Sequence, residues 1–230
     1  MNAINGGIAQ LLNDNRQFFG GQSIAFDGVV DEETYNKTEI KTIFLLKEVN
    51  DPRMSKDWTD FMEDTKKQAS KESVYKTWPN VCLWIETLRN PNVDYKDCVD
   101  EYGNFATKKL QRNLLEVGIV NIKKTAGGGS SSHKEILAAA TTYGHIIVQE
   151  IENYIMPNLV ICGGTFDYAK VMYNVKKEDV SILPSGAQYF ERNDTLYLQF
   201  VHPMWFNVNR KILFAYAKAV FADVRWVLNI

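Results

Sequence analysis

Four stretches of the chain are continuous apolar runs rich in β-branched and aromatic residues. They are Thr42-Ile43-Phe44-Leu45-Leu46, Gly118-Ile119-Val120-Asn121-Ile122, Leu159-Val160-Ile161-Cys162-Gly163-Gly164 and Leu196-Tyr197-Leu198-Gln199-Phe200-Val201. Apolar residues that do not alternate with polar ones suit strands buried on both faces, as in a parallel sheet. Between the runs, apolar positions recur at helical spacing: in the first dozen residues (Ile8, Leu11, Leu12), from Val81 to Leu88, over 106–116, over 133–155, from Thr165 to Tyr173, and over 208–224. Gly20 and Gly21 stop the first of these. Ser132 and Glu135 stand at capping-box spacing before the longest, which Pro157 ends. Strands that alternate with helices predict an α/β fold, three layers deep, with a central, mostly parallel, four-stranded sheet. The segments 22–39, 90–104 and 180–195 are rich in turn residues and read as connections. The pattern fits one domain over residues 1–230, with 1–39 as an N-terminal helix and irregular extension and 53–77 as a charged insert.

In a parallel sheet the ligand site lies beyond the carboxyl ends of the strands. Three loops are selected by that rule. The first is Lys47-Glu48-Val49-Asn50-Asp51-Pro52, whose Glu48, Asn50 and Asp51 are either turn-formers or groups able to position a water. The second begins at Asn121, a polar residue inside an apolar strand. Its amide either bonds a neighbouring loop or reads a base edge with one donor and one acceptor. Lys123 and Lys124 follow, then Gly127, Gly128, Gly129 and Ser130. Glycines let a backbone approach a ligand closely, and their amides precede a helix N-terminus, which favours anions; the alternative is a flexible surface loop. The spacing is not that of a Walker loop. The third loop is His202-Pro203-Met204-Trp205-Phe206. A histidine at a strand end, held by a proline turn, has an imidazole suited to chemistry near neutral pH. Met204 and Trp205 either pack into the core or form a wedge able to enter a base stack.

Composition narrows the picture. Of the 230 residues 45% are hydrophobic and 23% charged, with 5 Trp, 11 Tyr and 12 Phe, which excludes a disordered chain. The net charge of -2 argues against a surface that grips nucleic acid everywhere, though not against a local basic site. Cys82, Cys98 and Cys162 are too few for a disulfide framework or a four-thiolate cluster. Residues 1–10 lack the basic and apolar regions of a signal peptide, and no apolar run is long enough to span a bilayer, so the expected address is the cytoplasm, or the nucleus in a eukaryote.

The ordered set of these pieces, from about residue 40 to residue 224, resembles the uracil-DNA glycosylase superfamily. Val120-Asn121-Ile122-Lys123-Lys124, followed by Ala126 to Ser132 and His133, is similar to the family's strand whose terminal Asn recognises uracil and the Gly/Ser/His loop that lies on DNA phosphates. Leu159 to Tyr168 is similar to its strand–Gly–helix segment. His202-Pro203 matches its His-Pro motif, and Trp78-Pro79 before a helix fits the order. The first motif departs from the family: Lys47 stands where Gly is usual, and one alignment places Val49 where a water-positioning residue belongs, leaving Asn50, Asp51 or Glu48 for that role. Met204 replaces the small residue usual after His-Pro, and the insert at 53–77 has no counterpart.

The resemblance implies a DNA glycosylase that flips a deaminated or damaged base and hydrolyses its N-glycosidic bond. His202 would stabilise charge on the leaving base, with Asn50, Asp51 or Glu48 positioning the water. Asn121 would bind the base edge, and Trp58, Phe61 or Trp78 would stack on the base. Lys123, Lys124, Gly127, Gly128, Gly129 and Ser130 would hold phosphates, and Met204 and Trp205 would wedge the stack. It implies no metal or cofactor, a single- or double-stranded DNA partner, and a monomer. Two other classes stay open: a catalytically silent nucleic-acid- or nucleotide-binding module, favoured by Lys47 and Val49, and a hydrolase of a free modified nucleoside, favoured by the net charge.

Overall fold

Thr42–Asn50 (β2) is the strand around which the sheet is built. The computed structural model describes residues 3–50, 61–69, 77–99, 108–127, 132–204 and 209–230. Strand β2 pairs in parallel with Val117–Gly127 (β3) on one side and with Leu159–Gly163 (β4) on the other. Beyond β4 lies Thr195–Phe200 (β7), also parallel. These four are the apolar runs of the sequence, and their inward residues are almost wholly buried.

The four-stranded expectation is too small. Among the described residues the sheet has seven strands, in the order Gly28–Val29 (β1), β3, β2, β4, β7, Gln188–Arg192 (β6) and Ser181–Ile182 (β5). Strand β1 adds antiparallel to β3, while β6 adds antiparallel to β7 and β5 to β6. Two of the added strands are two residues long, and their stability comes from the neighbour's ladder rather than from a pattern of their own. The sheet is therefore mixed, with a parallel centre.

Helices cover both faces. On one, Thr77–Arg89 (α4) and Arg210–Val227 (α8) pack on Phe44, Leu46, Ile119, Ile161 and Leu198. On the other, Ala3–Asp14 (α1), His133–Gln149 (α6) and Phe166–Met172 (α7) pack on Ile43, Leu45, Val120 and Val160. Helix α4 is not the amphipathic surface helix that Val81 to Leu88 suggests: every residue from Val81 to Leu88 is buried, because α8 covers its other side. The expected helix over 133–155 is two pieces, with α6 ending at Gln149 and a π-helical turn over Glu150–Ile155. The capping box does not form. Ser132 occupies the N-cap without a side-chain hydrogen bond, and the Glu135 carboxylate turns instead to Lys123.

Among the described residues no helix is long and apolar enough to cross a membrane.

Candidate functional site at the strand ends

The chain leaves β2 towards β3 and leaves β4 towards β7, so the connections diverge at the gap between β2 and β4. An open α/β sheet forms its crevice at such a point. Gly163, Gly164 and Thr165 stand at that end of β4. The Thr165 hydroxyl, fully buried, donates to the Leu45 carbonyl at 2.6 Å and ties the two strands together. Gly163 is required by space: an added Cβ would lie 2.8 Å from Leu46 Cδ2 and 3.2 Å from Pro203 Cδ. Gly164 has a φ of +69° and donates its N–H to Phe200 O at 2.9 Å, which brings the end of β7 alongside. From the opposite layer, Asn80 in the first turn of α4 donates from Nδ2 to the Pro203 carbonyl at 2.5 Å. The turn that carries His202 is thus pinned from β2, β4 and α4.

A Cβ at Gly164 would have His202 Cβ at 3.8 Å and Lys47 Cε at 3.9 Å as its neighbours. The two side chains therefore meet over this glycine. His202 Nδ1 lies 3.1 Å from the Met204 backbone N–H, which donates to it. Burial, and after it the charge of Lys47, lowers the imidazole pKa to about 4. At neutral pH the ring is uncharged, and with Nδ1 accepting, its proton is on Nε2. Lys47→Gln removes the smaller of the two causes. The expected result is a His202 pKa above that of the parent but still below 6.5, read by NMR titration of the ring; an unchanged value would disprove the proximity of the two charges.

Strand β3 runs on to Gly127, so Asn121, Lys123 and Lys124, expected at and beyond a strand end, lie within the strand instead. Asn121 is buried, and both its backbone N–H and its Nδ2 donate to Asp27 Oδ2, at 2.6 and 3.1 Å. Lys124 corrects the expectation of a phosphate contact. Its side chain has no solvent exposure, and its ammonium is held by Asp27 Oδ1 and lies 2.6 Å from Glu150 Oε2. A sealed ammonium with two carboxylates does not reach a ligand. Lys123 is accessible only in part. It pairs with Glu48 at 2.7 Å and with Glu135 at 3.1 Å, and the two carboxylates raise its pKa against the opposing effect of burial. Glu48 is in turn committed to Lys123, and its carboxyl lies against Gly127, where a Cβ would fall 2.0 Å from Glu48 Cδ. That glycine closes β3 by making room for this ion pair.

No known family model and no curated protein matches this chain.

The remaining candidates divide by place. Asn50 ends β2 opposite Gly127, after a shift of register between Glu48 and Asn50. Asp51, Trp58, Gly128, Gly129, Ser130 and Trp205 lie outside the described residues. Phe61 opens the helix Phe61–Gln68 (α3) and packs partly buried against the α4–α8 layer. Trp78 is buried in that same layer, so the structure gives it to the core rather than to an open stacking surface. Met204 is exposed. His133, at the start of α6, shares a 2.7 Å hydrogen bond with the Tyr168 hydroxyl through Nδ1. Three residues of this region escape the sequence reading: Asp27, Glu150 and Asn80. Asp27 and Glu150 are buried and lie far in sequence from the strand end they meet, that of β3, and Asn80 sits inside a helix. No local pattern marks them.

Proposed function

We propose that the protein is a glycosylase of the uracil-DNA glycosylase type, which hydrolyses the N-glycosidic bond of a deaminated or damaged base in DNA. The observation that carries this reading is the neutral His202 at the divergence of the strands, with its Nε2 proton free of the Met204 contact. Heterolysis of the C1′–N bond leaves its electron pair on the base, and negative charge gathers on the base oxygen beside that nitrogen. A hydrogen-bond donor that is already neutral and oriented stabilises this charge without reorganising. Water then adds to C1′ and loses its proton. Asn50, the last residue of β2, and Asp51, next in sequence, are the residues assigned to hold that water. Asn121 reads the base edge. The four parallel strands inside three layers, with the Asn-bearing strand and the His-Pro turn at one edge, support a uracil-DNA glycosylase-like fold. The chemistry calls for no metal or cofactor. The substrate is DNA, single- or double-stranded, and the protein acts as a monomer in the cytoplasm or nucleus.

A second reading has its own observation. Lys123 and Lys124 are both neutralised by carboxylates of the same chain, which favours a free modified nucleoside, or a base held without cleavage, over a tightly gripped DNA backbone. The deciding experiment uses labelled single- and double-stranded oligonucleotides carrying uracil, hypoxanthine or xanthine, with His202→Ala as control. Excision by the parent that is lost in the variant is expected. Absence of excision, with binding that weakens steeply in salt, selects the silent DNA-binding module. Nucleoside hydrolysis that ignores salt selects the free-nucleoside enzyme.

A further inference from the structure

We propose that Asp27 is a positioning residue that sets which base edge Asn121 accepts. This rests on the proposed role of Asn121. The two residues are 94 positions apart in sequence. They meet because the N-terminal segment runs antiparallel along the end of β3, with Ala25 N–H donating to Lys124 O at 2.8 Å and Ile24 bridging to Thr125. A side-chain amide is nearly symmetric in shape, so packing alone does not decide which end faces the ligand. A carboxylate is an acceptor only. Asp27 Oδ2 already takes the Asn121 backbone N–H, and in taking the side-chain Nδ2 as well it holds the amide nitrogen inward and leaves Oδ1 to face away. Lys124, bonded to the other oxygen of Asp27, keeps that carboxylate in place, and the site has no solvent to compete.

The consequence is specificity. Oδ1 and the second Nδ2 proton together offer an acceptor beside a donor. They match an imide edge, a ring N–H next to a carbonyl, as in uracil. Turned by a half rotation, the same amide matches a ring nitrogen next to an amino group, as in cytosine. Asp27 blocks that rotation because the turn would set Oδ1 against its own charge.

Asp27→Asn tests this with almost no change of volume. Lys124 takes the oxygen of the new amide, and the new nitrogen faces the two donors of Asn121. The expected result is a loss of about tenfold in the preference for uracil over cytosine, seen in kcat/KM on matched oligonucleotides. Glu150→Gln is the comparison, since it alters the same buried cluster without touching Asn121, and it is expected to leave the preference unchanged. Equal preference in the parent and in Asp27→Asn, or an equal loss in both variants, would overturn the proposal. If Asp27→Asn does not fold, the side-chain amide protons of Asn121 in the parent decide it. One strongly deshielded proton, slow to exchange, supports the Asp27 bond, whereas two equivalent, fast-exchanging protons refute it. The NMR measurement needs no activity, so the two failures are told apart: an inactive parent ends the glycosylase reading and this proposal with it, whereas an active parent with equivalent, fast-exchanging Asn121 amide protons ends this proposal alone.

Discussion

Lys124→Met is expected to destabilise the protein by about 3–5 kcal/mol, the range for breaking a buried ion pair from one side. The midpoint of thermal unfolding should fall by roughly 6–20 °C for a chain of this size. The reason is the inventory around the ammonium. It is the single cation shown beside two carboxylates, Asp27 and Glu150, and none of the three side chains meets solvent. Asp27 also receives two N–H groups from Asn121, while Glu150 faces Lys124 and the like charge of Asp27. Burial, then the charge of Asp27, drive the Glu150 pKa well above its ordinary value. The native Glu150 therefore holds its proton to a higher pH than the unfolded chain, whose carboxyl releases it near pH 4.5. Stability from this group is complete below that pH and declines as the pH rises through the native pKa. Glu150→Gln, a permanent stand-in for the protonated acid, should flatten the decline. Urea unfolding of both variants across pH 4.5–8 is the measurement. A Lys124→Met protein as stable as the parent would mean that the cluster is hydrated and open.

His202→Ala is expected to lower kcat for excision by about 10²–10³, the loss seen when one preorganised donor to a developing anion is removed. The fold should survive, because His202 is only half-buried and its turn is held through Pro203, Gly163 and Gly164 rather than through the ring. The pH dependence carries a second expectation. A free histidine protonates near 6.5, but this one stays neutral to about pH 4. Activity should therefore pass through pH 6.5 without the inflection of an ordinary histidine. Protonation at lower pH would put a charged ring in a half-buried, water-poor site beside Lys47, which is what depresses the pKa. The same difference makes His202 a source of acid lability: the unfolded chain takes up its proton below 6.5, so stability from this group falls as the pH drops from about 6.5 to about 4. Full excision by His202→Ala would remove it from the reaction, whatever the base.

How much of this is legible in the chain can be judged residue by residue. The four parallel strands are, because a strand buried on both faces has to be largely apolar, and Ile43–Leu46, Ile119–Ile122, Leu159–Cys162 and Leu196–Val201 are apolar but for Asn121 and Gln199. The edge at which Lys47 meets His202 follows from those strands, since a parallel sheet directs its carboxyl ends one way. The three edge strands do not show. Residues 22–39 and 180–195 look like loops because short antiparallel additions borrow their order from β3 and β7.

The residue types at the site were written in the sequence, while their partners and charge states were not. A lysine after a strand reads as a phosphate ligand, and Lys124 became a buried ion because Asp27 and Glu150, both remote along the chain, close on it. Lys123 was neutralised by Glu48 and Glu135, and Trp78 went to the core under α8. His202 acquired a pKa near 4 only when burial and Lys47 met over Gly164. Local pattern determines which segments are strands and helices, because backbone geometry and apolar spacing are local. Which charges pair, which amide end faces outward and where a proton stays depend on desolvation and on contacts across scores of residues, and only the folded chain brings those together.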